Sequence, residues 1–309
     1  MDVRKKLNTA KTYVMNNGVR SFARYCSCRY ITKTDSMGLT WGLSSARRSV
    51  PLIASLTSYP ARIETVDVAI KSILCQTMKP DRLILWLAEE QFPGRETDLP
   101  AQLLALRDFG LEIRWCDDLL SHKKYYYAMQ FFPQAAIMTF DDDLIYYPDT
   151  IEDLYRMHVR FPERVIATRA HRMRFDAGGA LVPYETWEMC VSEPLGEPQR
   201  GLFSTSGAGT LYPPRCMHPL LFDRTTLLET CAHADDVWLK CMQVMKGTNV
   251  VLARPDRPLQ YIDGTQEVGL AQDNLLQGGN DVQLRAVFKA FAAWRSRDGK
   301  TLEELFASN

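Results

Sequence analysis

The stretch Ala135-Ala136-Ile137-Met138-Thr139-Phe140-Asp141-Asp142-Asp143 sets an apolar run of strand-forming residues against three consecutive carboxylates. Such a run, bounded by polar residues, reads as a strand buried on both faces. In such a strand Asp141 and Asp143 point to one side and Asp142 to the other. Like charges that close repel, and each tends to protonate unless a cation lies between them. Hard oxygen ligands of this kind suit Mg2+ or Mn2+. The plainer alternative is a solvated acidic turn that stops the strand and caps the next helix.

Upstream, Pro51-Leu52-Ile53-Ala54-Ser55-Leu56 reads as another buried strand, followed by the turn Thr57-Ser58-Tyr59-Pro60. Ile63, Val66, Ile70, Ile73 and Leu74 then recur at helical spacing. Leu83 to Leu87 and Leu111 to Trp115 supply two more strands, with a leucine-rich helix between them and a helix over Tyr125 to Phe131. Strands alternating with helices predict βαβ units and a mainly parallel sheet. Ligands of such sheets bind beyond the carboxyl ends of the strands, where both Thr57-Ser58-Tyr59 and Asp141–Asp143 fall. No Gly-x-Gly-x-x-Gly follows the first strand and no Gly-Lys-Ser/Thr loop is present, so dinucleotide and P-loop binding are disfavoured.

Downstream, Ile151–His158 predicts a helix and Val165–Thr168 a strand. Residues 171–215 read as irregular, and so long a loop is usually functional. Within it, Gly207 and Gly209 permit close backbone approach to a ligand, or simply a tight turn before Pro213. Helix is expected over Leu227–Lys246, interrupted near Ala232–Leu239, then a short strand at Asn249–Leu252 and a last helix at Asp281–Trp294.

At 309 residues the chain can bury a full core, and its 46% hydrophobic and 24% charged residues are ordinary for a folded protein. No apolar run reaches the about 18 residues a bilayer span needs, and no signal-peptide pattern opens the chain. A cytoplasmic location is expected. The eight cysteines are scattered, and Cys26-Ser27-Cys28 lacks a second pair for a zinc site. Free thiols in a reducing compartment are the expected state. The zero net charge hides an asymmetry: residues 1–49 carry ten Lys or Arg and two Asp, a surplus of +8 that leaves −8 on the remainder. Val3, Leu7, Ala10 and Val14 share one helical face there, with Lys5, Lys6 and Lys11 largely off it. A basic amphipathic leader of this kind suits peripheral contact with an anionic membrane, or packing on the body of the protein. Nucleic acid is not an expected partner, because no basic-aromatic interleaving extends into the body.

Several ordered pieces now resemble one family. They are Ser55-Leu56-Thr57-Ser58-Tyr59-Pro60, Ser121-His122-Lys123-Lys124-Tyr125, Asp141–Asp143, Gly209-Thr210-Leu211-Tyr212-Pro213 and Asp235-Asp236-Val237-Trp238-Leu239, with Asn280-Asp281-Val282-Gln283 as a looser sixth. Over about residues 50–285 they resemble GT-A-type glycosyltransferases, close to the bacterial family 2-like enzymes of surface-polysaccharide and capsule pathways. The resemblance implies a GT-A (Rossmann-like) α/β fold, a mainly parallel sheet flanked by helices, behind a basic helical leader and linker at 1–49. Residues 50–170 would form the nucleotide-sugar half and 171–309 the acceptor half.

The implied activity is transfer of a sugar, hexosyltransferase-like, from a nucleotide-sugar to a hydroxyl of a glycan or lipid-linked acceptor at the inner membrane face, with inversion. Asp141 and Asp143 match the family's Asp-x-Asp, implying Mn2+ or Mg2+ on the donor's diphosphate. Thr57, Ser58 and Tyr59 would cradle the nucleoside, with Arg62 near the base or phosphates and Lys124 on the phosphates. Asp142 is left to ribose, metal or neither. Asp235 and Asp236 resemble the acidic pair that supplies the catalytic base, Asp236 being the expected base; a pair complementing a helix dipole is the plainer alternative. Gly209, Thr210, Tyr212 and Trp238 are expected substrate contacts, although buried aromatics would look the same. A nucleotidyltransferase on the same sheet and a non-catalytic sugar-binding relative are the rival functions.

Overall fold

The computed structural model describes residues 41–265 and 279–307. Of the basic leader and linker at 1–49, residues 1–40, with Cys26 and Cys28, lie outside the described residues; within 41–49 the Ser44 N–H donates to the Pro80 carbonyl at 2.8 Å and Arg48 pairs with Asp81. Eight strands form one sheet in the order β3-β2-β1-β4-β9-β5-β10-β7. These are β1 (Leu52–Thr57), β2 (Arg82–Ala88), β3 (Leu111–Cys116), β4 (Ala136–Thr139), β5 (Val165–Ala167), β7 (Pro198–Gln199), β9 (Thr210–Tyr212) and β10 (Val250–Leu252). Strands β6 (Ala170–Arg172) and β8 (Leu202–Ser204) pair separately as an antiparallel ribbon. In the main sheet only β9 and β7 run against the rest. The expected mainly parallel α/β sheet is thus what the chain forms.

The helices are α1 (Val66–Leu74), the single-turn α2 (Ala101–Leu104), α3 (Lys123–Phe131), α4 (Thr150–Arg160), α5 (Arg224–Thr230), α6 (Asp235–Lys246), α7 (Gly279–Ala290) and α8 (Leu302–Ala307), the last lying beyond the helix expected to be final, which ends at Ala290. On β1, Leu52, Ala54 and Leu56 pack into one core layer with Ile70 and Leu83. Ile53 faces the other way, with Ile84, Trp86 and Ile137. That two-sided burial explains why β1 and β4 read as unbroken apolar runs. A third cluster, around Trp238, Cys241, Leu202 and Val250, joins α6 to the far half of the sheet. Cys75, Cys116, Cys190, Cys216, Cys231 and Cys241 are all free thiols.

One expectation is corrected here. The interval 171–215 is not all irregular, because Thr210–Tyr212 forms β9 in the middle of the sheet. Thr139 pairs with Thr210 on one side and Ala167 with Thr210 on the other. A three-residue strand is too short to show a period. Its neighbours supply the pairing that sequence pattern could not reveal.

Candidate active site

From β1 the chain crosses to β2 on one side, while β4 lies against β1 on the other. The strand order therefore reverses between β1 and β4, and a crevice opens beyond their carboxyl ends. Ser58 leaves β1 at that point and Asp141–Asp143 leave β4. The ladder reaches Phe140, whose N–H donates to the Ser55 carbonyl at 3.0 Å. Beyond it the backbone turns, so strand alternation stops before the carboxylates.

The three aspartates consequently do not divide as alternation predicts. Asp142 and Asp143 share one guanidinium: Arg62 Nη1 lies 2.8 Å from Asp142 Oδ1 and 3.2 Å from Asp143 Oδ2. Ser58 Oγ donates to Asp142 Oδ2 at 2.6 Å. Burial still pushes the Asp142 carboxyl up, against the opposing pull of Arg62 and Ser58. Asp141 turns instead to Lys124, whose ammonium lies 2.7 Å from its Oδ1. Its backbone N–H meets the Gly207 carbonyl at 3.2 Å and the Tyr146 hydroxyl at 2.5 Å. A Cβ on Gly207 would stand 1.6 Å from Asp141 Oδ2, so only glycine lets this loop lie against that carboxylate.

Among the described residues no three His, Cys, Asp or Glu side chains are arranged as a complete metal-ligand set. Two carboxylates are nonetheless what a Mg2+-type ion commonly takes from protein, phosphate and water oxygens filling the rest. Asp141 and Asp143 are carboxylates of that chemistry, held here by Lys124 and Arg62 respectively. The Asp141 side chain, 40% exposed, opens to the crevice.

The acidic pair opens α6 and reaches the same crevice from the opposite half. Ser206 binds both members: its hydroxyl donates to Asp235 Oδ2 at 2.8 Å and its backbone N–H to Asp236 Oδ1 at 2.7 Å. Lys124 lies 2.9 Å from Asp235 Oδ2. Protein surrounds both carboxyls on most sides. Burial opposes ionisation of Asp235, but Lys124 outweighs it and holds that carboxyl below the usual range. For Asp236 burial and the adjacent Asp235 charge act together and push the carboxyl well up. Burial would likewise lower Lys124, yet Asp141, Asp235 and Asp236 keep it firmly charged.

The remaining expected contacts divide. Thr57 and Tyr59 stand at the crevice with Ser58; Thr57 Oγ1 donates to the Trp86 carbonyl at 2.8 Å, and Tyr59 lies under the Arg62 guanidinium. Gly209 holds a positive φ of 103° and faces Thr150, so its role is backbone packing. Thr210 is fully buried and bonds the Thr205 carbonyl. Trp238 is 0% exposed, its indole N–H on the Leu221 carbonyl at 3.1 Å, and Tyr212 is buried beneath the acid pair. Neither aromatic presents a face to the crevice: the apolar core claims both. Asp281 accepts from the Tyr184 N–H and so pins a loop. Ser206 is the position at the acid pair that the sequence reading did not single out, because a serine in a loop carries no signal of its own; Gly207, read as permitting close backbone approach, lies against Asp141.

No protein-family model matches this sequence, and no curated protein does. Solved structures do. TarS 1–349 of S. aureus in complex with UDP-GlcNAc is 10% identical, with 81% of this chain and 74% of that chain covered and a TM-score of 0.46. Mannosyltransferase PcManGT from Pyrobaculum calidifontis, in complex with GDP-Man and Mn2+, is 12% identical over 88% of this chain and 82% of that one, at a TM-score of 0.40. From its own strand order and switch point, this chain has a GT-A-type, Rossmann-like α/β fold.

Proposed function

We propose that this protein transfers a sugar from a nucleotide-sugar to a hydroxyl of a glycan or lipid-linked acceptor in surface-polysaccharide synthesis, with inversion at the anomeric carbon. The observation that carries this is the convergence of two acidic groups from opposite halves of the chain on one crevice: Asp141–Asp143 beyond β4, and Asp235-Asp236 at the start of α6. The first suits a diphosphate and the second suits a proton acceptor. Asp141 and Asp143 would hold Mn2+ or Mg2+, which when bound offsets negative charge gathering on the leaving diphosphate.

Thr57, Ser58 and Tyr59 border the nucleoside, and Arg62 orders Asp142 and Asp143 for the donor. The acceptor oxygen attacks the anomeric carbon as its proton passes to Asp236. The bond from that carbon to the phosphate oxygen breaks, and its electron pair leaves with the nucleoside diphosphate. Asp236 suits the task because its surroundings raise its proton affinity toward working pH. Asp235, ionised by Lys124, remains a fixed charge beside it.

The test is calorimetry of nucleoside diphosphate binding with and without Mn2+. Asp143→Ala is expected to remove the metal-dependent part of the affinity. Equal affinities for wild type and variant in the presence of metal would sink the assignment.

A further inference from the structure

Lys124 is placed unlike a lysine that waits for phosphate. Its side chain is 4% exposed, and its ammonium contacts Asp141 and Asp235 at 2.7 and 2.9 Å. Its backbone is fixed too: Ser55 Oγ donates to the Lys124 carbonyl at 2.5 Å while accepting from Trp86 Nε1 at 3.0 Å. We propose that Lys124 is a positioning residue that locks the Asp141 carboxylate to the acid pair, its one ammonium holding Asp141 and Asp235 together. This rests on the transfer reading above for its role in catalysis, and on geometry alone for its effect on the pair.

The pair is asymmetric by construction. Asp235 receives the ammonium and the Ser206 hydroxyl, whereas Asp236 receives the Ser206 N–H. An anion in contact with a cation stays ionised, and its neighbour then binds the shared proton. The other titratable groups facing the pair are neutral. Tyr125 on α3, Tyr212 on β9, Tyr184 in the loop after β6 and Cys231 before α6 are all pushed up by burial. His122 is pushed down to about 4 by burial, its Nε2 on the Cys231 carbonyl and its Nδ1 on the Tyr125 hydroxyl. Among the described residues, Lys124 is therefore the cation that sets the asymmetry. Because Asp141 holds the same ammonium, a shift of that carboxylate is felt at the pair.

The experiment is a pH titration of aspartate carboxyl carbons by 13C NMR in the ligand-free full chain, with Asp235 and Asp236 assigned through their Asn variants. Lys124→Met is expected to raise the proton affinity of Asp235 at least about tenfold, and Lys124→Arg to restore it. Lys124→Gln, which can still hydrogen-bond both carboxylates, makes the same uncharged comparison should the Met variant fail to fold. Calorimetry with UDP and GDP plus Mn2+ accompanies each variant. An unmoved Asp235 titration in the uncharged variants overturns the proposal; if nucleotide binding weakens at the same time, Lys124 is a phosphate contact only. A wild-type chain that binds neither nucleotide yet shows the Asp235 shift would refute the transfer reading and leave the lock standing.

Discussion

At the scale of single residues, function depends on where charge and bulk are withheld. Asp236→Asn keeps shape and removes the proton acceptor, so nucleotide binding should persist while transfer falls by about 100-fold to 10,000-fold. Parallel calorimetry and turnover assays check this; loss of donor affinity in step with turnover would make Asp236 a binding residue. The acid limb of the wild-type rate profile should lie above the ordinary carboxylate range, because burial and Asp235 raise Asp236. Gly207→Ala drives a methyl into the Asp141 carboxylate. It should cost about 1–3 kcal/mol in urea denaturation and weaken donor binding; an unchanged midpoint would mean Asp141 is free to swing aside. Both aspartate groups were legible in the sequence because carboxylates ending an apolar run, or paired at a helix start, are conspicuous. Lys124 was legible as a position but not as a buried bridge, since the acids it joins lie 17 residues after it and on α6. Trp238 lies in the core, and its place could not be read beforehand because an aromatic reads alike in a core and in a sugar site.

At the scale of elements, β1 to β4 announce themselves as apolar runs and the helices α1, α3 and α4 were expected between them, whereas β9 gives no such sign. Helix α6 carries a second consequence besides the acid pair. Lys240 on it is 2% exposed and donates to the carbonyls of Arg200 and Leu202 at 2.6 and 2.8 Å, with no carboxylate ion pair among the described residues. Burial lowers its pKa to about 7. The unfolded chain, with lysine near its ordinary value of about 10.4, then binds more protons between those limits. Stability should accordingly rise with pH from about 7 to about 10, by about 1.4 kcal/mol per unit from this group. Lys240→Met should flatten that rise in denaturation curves taken across the window. Coincident slopes for the two proteins would show that the amine stays charged in the fold.

At the scale of the molecule, Asp141–Asp143 follow β4 in the middle of the sheet, and the acid pair meets them from α6. Among the described residues no helix is long and apolar enough to cross a membrane. On the proposed reading, a nucleotide-sugar that binds with Mn2+ should stabilise the whole chain by mass action, about 2.7 kcal/mol at a hundredfold excess over Kd. Thermal unfolding across a nucleotide-sugar panel, with and without chelator, measures it; a midpoint indifferent to every donor would count against transfer.

The antiparallel β9 also sets an order of events during synthesis. Residues 52–139 supply four strands that pair with one another, yet the outer edge of β4 has its partner only in Thr210–Tyr212. Until some seventy further residues have left the ribosome, a short, mainly apolar strand edge stands unpaired, and such edges invite the wrong partner. The segment that joins the two halves of the sheet is also the one that brings Ser206 and Gly207 to the aspartates. That pairing sets the loop against Asp141, and α6 then adds Asp235 and Asp236.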